Sequence, residues 1–164
     1  MKRILIALAV LLSVQVADAQ TKSPEAAKKA VESAEAASKD AKKAAKVATW
    51  TKLASAYMDA YNAPAGNVWL GASKQELQLL MGNDKPISTE EVVIGGDQLV
   101  KEVYSNKEFY FSPAGQLVLI NVTKPVVENA LAGALDAYKK AYEVDVKQSE
   151  TKDIGAGLSS IAQK

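Results

Sequence analysis

The sequence predicts an α+β fold. An antiparallel helix hairpin, helix A over about 47–61 and helix B over about 125–145, is interrupted by a short helix and a three- or four-stranded antiparallel meander, and a long Ala-rich helix precedes it. Three observations predict this arrangement. Residues 24–61 hold no Gly and no Pro after Pro24, so helix propensity runs uninterrupted. Residues 91–122 instead carry runs of β-branched and aromatic residues separated by Gly-, Asn- and Pro-containing turns. From Pro125 the apolar residues return to helical spacing.

In chain order, residues 1–19 come first. Lys2 and Arg3 precede the apolar run "ILIALAVLLSVQV", and small Ala17 and Ala19 precede Gln20. Charge, apolar stretch and small-residue cut site in that order make a secretory signal peptide. The run is too short to span a bilayer comfortably; an uncleaved N-terminal anchor is the alternative. No Cys follows it, which excludes lipid attachment at a thiol. The expected location is exported, periplasmic or secreted, with no stable membrane span after cleavage. Without residues 1–19 the chain holds 18 basic and 18 acidic residues. No net field then draws it to nucleic acid or to an anionic membrane. The chain has no Cys and no His. That removes a disulfide framework, the common zinc ligand sets, and the His-dependent Ser and Cys nucleophiles. No cofactor and no metal are expected.

Residues 20–46 form an Ala/Lys-rich lead-in helix, opened by Ser23 as N-cap and Pro24 at the first position. Ala27, Ala30, Ala34, Ala37, Ala41, Ala44 and Ala48 make a seam of methyl groups at heptad-like steps. The preferred reading is an exposed, partly frayed helix continuous with helix A; a close-packed Ala helix pair is the alternative. At Trp50 the pattern gains bulk, with Leu53, Tyr57, Met58 and Tyr61 available for burial. "NAPAGN", 62–67, ends the helix. The insertion, 62–124, starts with a capping box, Ser73 with Glu76, on a helix over about 74–81 stopped by Gly82. "EVVI", "QLVKEVY", "EFYF" and "QLVLINV" read as strands with Gly-Gly, Ser-Asn-Lys and "SPAG" between them. Helix B carries Val127, Ala130, Leu131, Ala134, Leu135, Tyr138, Ala141 and Tyr142 on one stripe. Residues 146–164 read as a further helix, cut short, with Asp153 as N-cap and Ile154, Leu158, Ile161 and Ala162 on one face.

Trp50, Leu53, Ala54 and Tyr57, with Ala134, Tyr138 and Ala141, resemble the helix A and helix B patterns of the tetratricopeptide repeat. Leu158, Ile161 and Ala162 repeat the spacing of Trp50, Leu53 and Ala54, as a next helix A would. Val146 stands where the family usually has Pro. Tyr57 and Ala134 lie 77 positions apart, so the resemblance implies a repeat, 47–145, whose inter-helix turn holds the insertion. It also implies a peptide-binding face on helix A: Ala48, Thr51, Ser55, Met58 and Asp59. The family's carboxylate-clamping members carry Lys and Asn where Thr51 and Ser55 stand here, which argues against capture of a C-terminal carboxylate. More weakly, Gly71, Ser73, Glu76, Leu80, Gly82, Phe111, Gly115 and Leu117 resemble the helix and hairpin of small outer-membrane assembly lipoproteins, without their lipid-bearing Cys.

Other candidates for chemistry are thin. Glu90 and Glu91 are neighbours on a strand and point to opposite faces, unlike an acid/base pair. "IGGDQ" lacks the Lys of a phosphate loop, and Asp84 with Glu90 or Asp97 lacks a calcium-loop spacing. Asn121-Val122-Thr123 is a formal glycosylation sequon at a strand end, read as accidental. Trp69, after the Pro/Gly loop, reads as a plug between insertion and helices or as an exposed recognition aromatic. The expectation is a non-catalytic helical-repeat scaffold that binds protein or peptide in the cell envelope, with Thr51, Ser55, Met58, Asp59 and Trp69 as binding residues. It needs no nucleic acid and no small-molecule cofactor. The alternative is an envelope module whose insertion contacts outer-membrane assembly or cell-wall components.

Overall fold

The structure, a computed structural model, describes residues 21–164; the expected leader at 1–19 lies outside the described residues. The fold is α+β, with six described helices and one four-stranded antiparallel sheet. In order these are α1 Pro24–Ser38, α2 Ala41–Ala44, α3 Val47–Asn62, α4 Lys74–Met81, β1 Ser88–Ile94, β2 Asp97–Val103, β3 Lys107–Phe111, β4 Leu117–Val122, α5 Ala130–Val144 and α6 Thr151–Ala162.

The lead-in helix does not continue into helix A, and it is not merely exposed. The Asp40 carboxylate accepts from the N–H groups of Lys42 and Lys43, both at 3.0 Å, and restarts the chain as α2. A second break follows Ala44, whose carbonyl accepts from the Trp50 indole N–H at 2.8 Å. Local caps thus outcompete Ala propensity, and the chain folds back on itself. Ala27, Val31 and Ala34 bury against α3, so the close-packed alternative describes the structure better. Lys22, just before α1, pairs with Asp59 in the last turn of α3 at 2.7 Å; the two helices therefore run in opposite directions. Burying a methyl group contributes only about 0.8 kcal/mol. The gain here comes from close approach, which brings the larger Val31, Leu53, Trp50 and Tyr57 into the same cluster.

α3 packs most extensively against α5, although the 67 residues 63–129 separate them. Tyr57, late in α3, lies against Gly133, early in α5, so this pair is also antiparallel. Ala54 and Ala141 are fully buried in the shared core with Tyr138, and Ala134 is fully buried on α5. Helix B starts five residues later than the spacing predicts. Asn129 adopts the left-handed conformation (φ 54°), which interrupts a helix, and Val126 and Val127 turn into the helical core ahead of it. Tyr142, placed on the predicted stripe, is exposed, and Ala137 is buried instead. α6 begins at Thr151, before the predicted cap at Asp153. It packs on α5 and touches α3, with Ile154 fully buried and Tyr138 pressed against Gly157.

The insertion folds on its own core. Ser73 and Glu76 form the predicted capping box on α4. Gly95 and Gly96, at φ 63° and 96°, make the two-residue β1–β2 turn, a conformation that favours Gly at both positions. The strands pair in chain order β1-β2-β3-β4. Alternation puts Phe109, Phe111 and Leu117 on the face covered by α4, where they pack with Leu77, Ala72 and Tyr104. Phe109 lies 5.2 Å from Tyr104 and 6.5 Å edge-on from Phe111, centroid to centroid. A bulge at Tyr110/Phe111 and two backbone bonds between Leu117 and residues 71 and 72 tie the start of β4 to the segment entering α4.

Candidate functional site

Helical spacing places Thr51, Ser55, Met58 and Asp59 on the stripe of α3 that faces away from the core residues Leu53, Ala56 and Ala60. They are not equally free. The Thr51 hydroxyl donates back to the carbonyls of Val47 and Ala48, both at 3.4 Å, and Asp59 is engaged by Lys22. Ser55 is exposed, and Met58 is half-buried. The stripe therefore offers a small hydroxyl and a thioether, with its one carboxylate already paired. Trp69 is not on it. It lies in the linker after α3, about half exposed, and belongs to neither core cluster. The plug reading is corrected: Ala63 seals the end of the helical core, and Val68 packs on the insertion core.

A feature missed by the sequence reading is a cleft of about 480 Å³ between α4, the 82–87 loop and the covered face of the sheet. Leu77, Met81, Tyr104 and Phe111 form its apolar walls. Lys74 Nζ meets Glu102 Oε1 at 2.8 Å and stands 4.6 Å over the Phe111 ring. The Tyr104 hydroxyl donates to Glu102 Oε2 at 3.0 Å. Beside the cleft, buried Lys107 reaches Asp84 at 2.9 Å and lies over the Tyr104 and Phe109 rings, 5.4 and 5.6 Å from their centroids. Burial, then the bond to Glu102, raises the Tyr104 phenol above its ordinary range, so it stays protonated and donates at neutral pH. Both Glu102 oxygens are committed, and the Asp84 carboxylate is paired rather than open to a cation. Such a neutralised network suits holding an apolar side chain more than moving a proton. Finding it from sequence required the β2–β3 register, which sets Glu102 opposite Phe109.

On the opposite sheet face Glu90 pairs with Lys101 at 2.7 Å. Glu108 accepts from Asn121 and from the Tyr110 hydroxyl, both at 2.8 Å, and these bonds hold its carboxyl below the usual value. The Asn121 amide is thus engaged by a neighbouring strand. Among the described residues no helix is long and apolar enough to cross a membrane, and no three acidic groups converge to hold a metal ion. No side-chain polar atom buried among them lacks a hydrogen-bond partner. No protein-family model, curated protein or solved structure matches this chain.

Proposed function

We propose that the chain is a non-catalytic, exported scaffold that binds a protein or peptide in the cell envelope through the open stripe of α3, with α3 and α5 as a tetratricopeptide-like hairpin interrupted by the insertion. The observation that carries this reading is the antiparallel packing of two helices 67 residues apart around Ala54, Ala141 and Tyr138. α6 adds support, since it packs against both of them as a following helix A would. The unclamped Ser55 and Met58 suit side-chain recognition of an internal segment rather than a terminal carboxylate. A random peptide library displayed on phage tests this. Peptides enriched on the parent chain should lose at least about tenfold in affinity, about 1.4 kcal/mol, in Ser55→Arg and Met58→Arg. Retained affinity in both variants, with unchanged helical circular dichroism, would overturn the reading.

The independent core of the insertion favours a second reading, an envelope module that contacts outer-membrane assembly or cell-wall components through its own cleft. In that case the same selection responds to Gln78→Arg, at the cleft, and not to Ser55→Arg.

A further inference from the structure

We infer that strand β1 pairs antiparallel with β1 of a second copy of this chain, joining the two sheets edge to edge about a two-fold axis at Val92. The backbone of β1 is open on one side. Across the Gly95-Gly96 turn Ile94 and Asp97 exchange both backbone bonds, and the exchange recurs at every second pair, so Val92 and Glu90 also bond to β2. Thr89, Glu91 and Val93 therefore point their N–H and C=O groups away from the sheet. Among the described residues β1 packs extensively on β2 alone. It holds no Pro and no Lys, and its register with β2 is unbroken from Ser88 to Ile94, so the usual protections of an edge strand are missing. On it Val93 is 68% and Ile94 43% exposed.

The other edge of the sheet is covered. Leu117 of β4 accepts from the Gly71 N–H and donates to the Ala72 carbonyl, and Gln116 bridges to Ser73. Further along β4, Leu119 and Val122 share a cleft with Val68 and Leu70 of the linker. A sheet with one open edge closes at two copies through an isologous contact.

The charges select the register. Lys101 neutralises Glu90 at 2.7 Å, whereas Glu91 is exposed on the edge. An axis at Glu91 would set two carboxylates directly opposite each other, which is destabilising. An axis at Val93 would run the pairing into the turn at Gly95. With the axis at Val92, Val92 meets Val92, each Glu91 faces Val93 of the other copy, and each Ile94 faces a neutralised Glu90. Glu91 and Val93 are then the residues that exchange backbone bonds between copies. The overlap covers only residues 90–94, well short of the roughly 20 residues a side of a stable interface, so the dimer is weak.

Sedimentation velocity of the full chain, from micromolar towards millimolar concentration, should show monomer and dimer only. Amide exchange should slow at Glu91 and Val93 as the dimer fills. Val93→Pro removes an outward N–H that β2 does not use and should abolish the dimer. Val93→Glu sets like charges opposite across the axis and should weaken it at least about tenfold. Val93→Lys instead faces Glu91 of the other copy and should keep it. If Val93→Pro disturbs β1 itself, the Glu and Lys variants still decide. A chain that stays monomeric, growth beyond the dimer, association unchanged in Val93→Glu, or equal losses in Val93→Lys and Val93→Glu would overturn the pairing.

Discussion

A Cβ built on Gly133 would lie 2.9 Å from the Tyr57 ring, and one on Gly157 would run into the ring and hydroxyl of Tyr138. Neither ring is free to move aside. Tyr57 is fixed by a 2.6 Å bond from its hydroxyl to Glu35, and Tyr138 is buried. Gly133→Ala and Gly157→Ala should each destabilise by about 1–3 kcal/mol through overpacking. Gly155, in the same helix as Gly157, has open space at its Cβ position. Gly155→Ala should therefore stabilise by about 0.5–1 kcal/mol, as expected for a helix interior. Urea melts of the three variants check both signs. Tyr57 also sets a pH dependence. Burial first, then the bond to Glu35 and its charge, raise the phenol to about 12. Between pH about 10 and 12 the unfolded chain loses a proton that the folded chain keeps, so stability falls as pH rises through that window. Tyr57→Phe should flatten the fall measured in alkaline melts. It should not abolish it, because Tyr104 is raised as well.

At the scale of the element, the junction of α5 and α6 depends on Asp145. Its buried carboxylate accepts from the N–H groups of Ser149 and Glu150 at 3.0 and 2.9 Å, and from the Thr151 and Ser149 hydroxyls. Burial pushes this carboxyl up, but the bonds from Glu150, Ser149 and Thr151 outweigh it and leave it below the usual value. Its contribution is therefore present above the unfolded value of about 3.9 and is lost as pH falls through the lower folded value. Asp145→Asn should melt earlier at neutral pH, converge on the parent in acid, and speed amide exchange in α6. In the sequence this Asp only ends helix B, and nothing local shows that it faces the next helix. Features set by nearby residues were legible: the Ser73–Glu76 capping box, the Gly95-Gly96 turn and the alternation through Phe109 and Phe111. The break at Asp40 was legible in principle, since an acidic N-cap stands inside the Ala run, but the absence of Gly and Pro masked it. The start of α5 was not, because Val127 fits the helical stripe and only tertiary packing turns it and Val126 inward ahead of the helix. Asn129→Gly relieves the left-handed strain, whereas Asn129→Ala should cost about 1 kcal/mol, read from thermal melts. For the candidate site, the stripe of Thr51, Ser55, Met58 and Asp59 followed from helical spacing. The Lys22–Asp59 and Lys74–Glu102 pairs join residues far apart in sequence, and spacing alone cannot show them.

At the scale of the whole molecule, the described residues form two cores that share no buried residue, one of helices α1, α3, α5 and α6, the other of α4 and the sheet. Tyr61, Val122, Pro125, Val127 and Asn129 line one depression, so the insertion leaves and returns at neighbouring points. The helical core then needs the intervening chain only as a connection. Closing a flexible connection of 67 residues instead of about eight costs roughly 2 kcal/mol more. This is an upper bound for a folded insertion, and it is small beside the burial of Leu53, Tyr57, Tyr138 and Ile154. Replacing 66–124 with a Gly/Ser linker of about eight residues keeps Ala63 and Pro64, both buried at the end of α3. The shortened chain should keep a cooperative helical melt and the protected Trp50 fluorescence while losing the strand signal. An unfolded or molten product would mean that α4 and the sheet help to hold α3 against α5, and would remove the basis for treating that pair as one interrupted hairpin.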